Sequence, residues 1–170
     1  RLDDEEAGPT VLHFAVPLDA PGVRLVETWR AMGMRGTGSH DILLEDVIVP
    51  EAAVSGRRPQ GKWHPLFHAI SMIAFPLIYS AYVGVAQGAR AKAIAAACGR
   101  AGDEGLPYLA GEMENAFALA EMALERMIAQ AETGTPGPEA TGLAMTCRTL
   151  AAQGAIQAVE KAMEVAGGPS

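Results

Sequence analysis

Residues 33–50 read GMRGTGSHDILLEDVIVP, and the reading of this stretch decides the fold. Gly33, Gly36 and Gly38 fall within six positions. Glycine carries no Cβ, so such a turn can take positive φ and approach a neighbour closely. Thr37 and Ser39 add hydroxyl groups, and Arg35 adds a planar cation. Residues 41–49 then alternate as a strand does, with Leu44, Asp46 and Ile48 on one face, and Pro50 closes the run. The turn is not a phosphate loop, which would end in Gly-Lys-Ser or Gly-Lys-Thr. Nor is it the dinucleotide fingerprint, because a strand follows where a helix should. Chemistry alone leaves two readings open, a tight turn with a structural arginine and a binding turn.

Working towards the N-terminus, residues 10–16 (TVLHFAV) are β-branched and apolar and stop at Pro17. Residues 18–22 (LDAPG) form a turn with Pro21 and Gly22 at type II corners, and residues 23–29 are a further strand. Towards the C-terminus, residues 51–63 read as a connector rich in Gly, Pro and charge. Helical periodicity then takes over. A first helix spans about residues 65–100, with Pro76 either kinking it or marking its true start. A second spans about residues 109–132. In it Met113, Phe117, Ala120, Leu124, Met127 and Ala131 recur at spacings of four and three, an apolar stripe away from its acidic residues. A third runs to about Ala166 and is dominated by small residues such as Ala151, Gly154, Ala155, Ala158 and Ala162, which let helix backbones approach closely. Gly167 and Gly168 end it.

The chain has 170 residues, with 13 Lys plus Arg against 20 Asp plus Glu and a net charge of −7. That acidic balance repels phosphate backbones and argues against nucleic-acid partners. Cys98 and Cys147 sit inside helical patterns, which predicts two buried thiols in a reducing, cytoplasmic compartment. Residues 1–7 are charged and have no apolar core, so no signal peptide is expected. Residues 67–88 contain no Asp, Glu, Lys or Arg, which is long enough to span a bilayer. His68, Ser71, Pro76, Tyr79 and Gln87 within the run point instead to a buried helix of a soluble protein.

His64 and His68 stand four residues apart, on one face of a helix. No third ligand accompanies them, so they read as polar residues of a helix start, and no metal site is assigned. Nothing in the spacing ties His13 or His40 to a nucleophile, and no residue is assigned a catalytic role.

With its flanks, residues 29–50 (WRAMGMRGTGSHDILLEDVIVP) resemble the acyl-CoA dehydrogenase superfamily, in which a Gly-x-Arg turn leads into a strand reading roughly FEDVxVP. Residues 83–87 (VGVAQ) resemble a segment of the family's first C-terminal helix, with Pro76 where the family has its proline. Residues 119–123 (LAEMA) resemble its second helix, and Gly167-Gly168 the di-glycine before a flavin-binding turn. The resemblance implies an α+β fold: the end of a β-barrel-like middle domain over residues 1–55, then an all-α up-and-down helical bundle over residues 56–170. It also implies FAD, an acyl-CoA or other small-molecule substrate, and a homo-oligomer, dimer or tetramer, in fatty acid metabolism. Arg100, Gly167 and Gly168 are the implied cofactor-binding residues.

The departures from the pattern separate three readings. The family's usual catalytic Glu would lie beyond Ser170, and most of the flavin pocket in segments outside these residues. The alternative base position falls near Ala74 and Phe75, where neither a carboxylate nor the accompanying Arg stands. Tyr108 and Met113 lie near the expected flavin-contacting stretch, and Glu164 replaces a common Gln. The first reading is an acyl-CoA dehydrogenase-like oxidoreductase that forms the α,β double bond of a thioester. The second is a flavin-dependent monooxygenase of the same fold, which needs no such base. The third is a non-catalytic member acting in assembly.

Overall fold

The computed structural model describes residues 2–4, 8–100 and 102–167 of the chain. Its contacts divide it into two units, Arg1–Lys62 and Trp63–Ser170. The expected division at residues 55 and 56 would have cut a strand that belongs to the first unit.

That unit holds β1 (Leu2–Asp4), β2 (Gly8–Phe14), β3 (Val23–Val26), β4 (Asp41–Leu44) and β5 (Val54–Pro59). β2 is the centre of an antiparallel sheet ordered β1-β2-β5, and β3 pairs with β4 in a separate antiparallel ribbon. The connector expected over residues 51–63 therefore contains a strand, β5. Sequence preference missed it because Gly56 and Pro59 are poor strand formers. Pairing with β2 supplies what propensity does not, with Val11 opposite Arg58 and His13 opposite Gly56.

The strand expected over residues 41–49 is shorter than its alternation suggests. It stops at Leu44, because Asp46 takes a left-handed φ of 52° and turns the chain. The Glu45 N–H bonds to the Gly22 carbonyl at 2.9 Å, tying this end to the β3 entry. Gly22 itself has φ 85°, and a Cβ there would lie 2.1 Å from the Glu45 oxygen. No other residue fits. In the glycine-rich turn, Arg35–Thr37 form a single 3₁₀ turn between the left-handed residues Met34 and Gly38. The Trp29 N–H donates to His40 Nδ1 at 3.1 Å and its indole N–H to the Met34 carbonyl at 3.3 Å. In this arrangement the turn is a self-contained structural latch.

The second unit is three helices, α1 (Pro65–Ala97), α2 (Leu106–Thr133) and α3 (Pro138–Ala166). Each carries a proline in its first turn, where the missing N–H costs nothing. Pro76 is buried inside a continuous α1 and does not start it. α3 packs against both other helices, and small residues make that possible. Ala120, Ala151 and Ala158 are completely buried. A Cβ on Gly154 would meet the Ala116 carbonyl oxygen at 2.7 Å and the Ala120 nitrogen at 2.8 Å, so α2 and α3 touch backbone to backbone there. The apolar stripe of α2 is the core face, with Met113 and Met127 among the largest fully buried side chains.

Two expectations need correction. Cys98 is exposed, because α1 ends at Ala97 and the residue caps the helix beyond the core, whereas Cys147 is buried. α1 is long and apolar enough to cross a membrane, with a mean hydropathy of 1.7 over its most apolar window, yet only 28% of that window is buried in the bundle. The expected burial holds on one face. The other presents Leu66, Ile70, Ile73 and Leu77, at spacings of four, three and four, all exposed.

Candidate functional site

The bundle brings two of the residues implied for cofactor binding together at one end. Arg100 follows α1, and its Nη1 donates to the Val165 carbonyl in the last turn of α3 at 2.9 Å. Its Nη2 pairs with Asp103. Gly167, with φ 83°, lies so close that a Cβ there would stand 3.0 Å from Arg100 Nη1. Gly168 lies outside the described residues. The Arg100 guanidinium holds the Asp103 carboxyl below its ordinary value, helped by the Gly105 N–H. Nearby, Lys161 bridges Glu112 at 2.8 Å and Glu164 at 3.0 Å, which raises its own pKa.

This is a helix-end clamp. A cation at a helix C-terminus satisfies a last-turn carbonyl and complements the helix dipole. Two of the five N–H groups of the Arg100 guanidinium are engaged within the chain and Asp103 pairs with its charge, so any cofactor at this end would meet a cation that already has partners. Among the described residues no group of three His, Cys, Asp or Glu could hold a metal.

The opposite end of the bundle carries a polar cluster that spacing could not reveal. His68 Nδ1 lies 2.7 Å from Thr141 Oγ1 across the α1–α3 seam. Thr141 Oγ1 lies 3.2 Å from Ser71 Oγ, which donates to the His68 carbonyl at 3.0 Å. Ser71 is the buried polar residue of this region, 5% exposed. The rings of Trp63 and His68 are 6.2 Å apart. His64 does something else: its Nδ1 accepts the Leu66 N–H at 3.1 Å and caps α1. The pair that shares a sequence spacing therefore has two separate tasks. The separation of 73 positions between His68 and Thr141 hid the contact from sequence reasoning.

About a third of the way along α1, Ala74 and Phe75 lie near where the resemblance implies a base followed by an arginine. A guanidinium is nevertheless present. Arg148 of α3 lies over the Phe75 ring, its Cζ 5.3 Å from the centroid. Its Nε is buried and makes no hydrogen bond. No Asp or Glu occurs anywhere in α1.

Comparison with known proteins places these features in a family. No family model matches the chain. A Bacillus subtilis (strain 168) protein provisionally named acyl-CoA dehydrogenase YdbM is 29% identical over 92% of the chain and 42% of its own length. Indole-3-acetate monooxygenase of Pseudomonas putida is 30% identical over 85% of the chain and 41% of its own length. The crystal structure of nitrososynthase from Micromonospora carbonacea var. africana superposes with a TM-score of 0.76 at 22% identity, over 98% of the chain and 44% of that one. The chain belongs to the acyl-CoA dehydrogenase superfamily. Within the superfamily its relatives include oxygenases and nitrososynthases as well as a protein named as a dehydrogenase. The chain spans about two-fifths of the length of these two curated relatives. Its three helices match the family's C-terminal bundle.

Proposed function

We propose that the chain is part of a flavin-dependent monooxygenase of the acyl-CoA dehydrogenase superfamily, acting on a small organic molecule. One observation carries this reading. α1 has no carboxylate along its whole length, and Ala74 and Phe75 stand near where the dehydrogenase pattern has its alternative base and arginine. Abstracting the weakly acidic α-proton of a thioester needs a positioned base, and the resemblance to the dehydrogenases gives that task to a glutamate. An oxygenase does not need that step. It places one atom of O₂ on the substrate and reduces the other to water, with two electrons from a reduced flavin. Kinship with an indole-3-acetate monooxygenase supports this direction.

The second reading, acyl-CoA dehydrogenation, is supported by the similarity to YdbM over nearly the whole chain. It requires a base from another part of the protein. In both readings the protein is a cytoplasmic homo-oligomer that binds a flavin.

The test uses the intact gene product with reduced flavin and isotopically heavy dioxygen, offered a panel of aromatic acids and amines. Incorporation of heavy oxygen into product is the expected result. Reduction of an electron-accepting dye by acyl-CoA substrates, with no oxygen incorporated from any substrate, would replace it with the second reading.

A further inference from the structure

The His68 cluster makes all three of its contacts at once in only one arrangement of protons. A carbonyl oxygen cannot donate, so Ser71 spends its hydroxyl proton on the His68 carbonyl. The contact between Thr141 and Ser71 must then use the Thr141 proton, with Ser71 Oγ accepting. Thr141 has no second proton, so the 2.7 Å contact to His68 requires Nδ1–H as donor. The circuit runs from His68 Nδ1 to Thr141, to Ser71, and back to the backbone of His68. It fixes the ring in the tautomer whose Nε2 carries a lone pair and no proton.

The other three histidines are arranged differently. His13 accepts from Arg58 Nε through Nε2, His40 from the Trp29 N–H through Nδ1, and His64 from the Leu66 N–H through Nδ1, each at 3.1 Å. Each spends a lone pair on holding the chain. Protonating that nitrogen would break the contact. His68 can take a proton at Nε2 and keep its circuit intact, because the imidazolium still donates through Nδ1.

We propose that His68 is a proton-accepting residue of this protein, held by Thr141 and Ser71 in the tautomer that presents an unprotonated Nε2. It lies on the same helix as Phe75 and seven residues before it, hence on nearly the same face and about 10.5 Å away along the axis. α1 thus offers an imidazole although it offers no carboxylate. A substrate O–H or N–H gives its proton to Nε2, the substrate keeps the electron pair as its conjugate base, and the ring becomes imidazolium. Thr141 and Ser71 are positioning residues. The role in turnover rests on the oxygenase reading, whereas the tautomer does not.

Two measurements on the chain itself test the geometry. Long-range nitrogen–proton correlation at about pH 8, above the titration range of an ordinary imidazole, is expected to show His68 with a pyrrole-type Nδ1 and a pyridine-type Nε2. Thr141→Val should move the population towards the Nε2–H form, and Thr141→Ser should restore it. Carbethoxylation mapped by mass spectrometry should modify His68 several-fold faster than His64. A protonated Nε2 in the native chain, a Thr141→Val spectrum like the native one, or a His68 that resists the reagent overturns the proposal. In an oxygenating preparation, His68→Gln should lower kcat at least ten-fold with KM little changed, and an unchanged kcat overturns the proton-accepting role. Absence of oxygenation would sink the functional reading and leave the two geometric tests to decide His68.

Discussion

The guanidinium of Arg100 donates to the carbonyl oxygen of Val165 at 2.9 Å, joining the end of α1 to the last turn of α3. The two residues are 65 positions apart, so the bond closes the bundle at one end. The same guanidinium lies against Gly167 and pairs with Asp103.

Arg100→Gln should lower stability by about 1–2 kcal/mol, the usual range for a charge-assisted bond to a helix C-terminus, read as a shift in the urea midpoint. It should also change the pH dependence. Asp103 has a folded pKa below its ordinary 3.8, chiefly because Arg100 bonds its carboxylate. Its contribution is therefore complete above that ordinary value and is lost as pH falls through the lower, folded one. The acid limb of the native chain should be steeper than that of Arg100→Gln. Identical limbs would show that the clamp carries no linked proton.

Lys161 shows the opposite sign. Its pKa is raised above 10.5, first by the bond to Glu112 and then by that to Glu164. The stability it supplies is present below 10.5 and disappears as pH rises through the higher, folded value. Lys161→Met should flatten the alkaline limb of a melting-temperature profile. A profile unchanged above pH 10.5 would refute the assignment.

Gly154→Val should be among the most damaging substitutions in the chain. The added Cβ meets backbone atoms of α2 at 2.7 and 2.8 Å, and backbone cannot step aside as a side-chain tip can. Overpacking of this kind costs about 1–3 kcal/mol. Gly142→Val, where a Cβ meets nothing within 4 Å, is the control. Equal melting temperatures for the two variants would contradict the close α2–α3 approach.

The two thiols should separate cleanly in a labelling experiment. Cys98 is exposed, whereas Cys147 is buried with its pKa raised by that burial, which disfavours the reactive thiolate. One equivalent of a thiol reagent should react quickly with the folded chain and a second only in denaturant. Rapid reaction of both would mean that α3 is not packed as described.

The uncovered face of α1 predicts self-association. Leu66, Ile70, Ile73 and Leu77 form an exposed apolar row, each between 45 and 69% exposed. Light scattering should find dimers or larger species, and Ile73→Lys with Leu77→Lys should shift them to monomer. A native chain that is already monomeric would count against this.

By itself the sequence determined the helices and their packing faces. Met113, Phe117, Ala120 and Met127 announce the buried side of α2 through a spacing the chain carries locally, and the alanines of α3 announce a close approach. It also determined kinship, through the order of turn, strand and proline over residues 33–50. Local pattern could not place β5, whose Gly56 and Pro59 disfavour a strand until β2 pairs with it. Nor could it end β4, where the tie between Gly22 and Glu45 overrides the alternation that continues to Ile48. The site was legible least of all. His68 meets Thr141, and Arg148 covers Phe75, only because α1 and α3 lie side by side, each pair being 73 residues apart. Periodicity fixes which face of a helix is apolar, but only packing between helices chooses which polar atom across the seam completes a hydrogen bond. Tertiary structure alone therefore decided which nitrogen of His68 carries the proton.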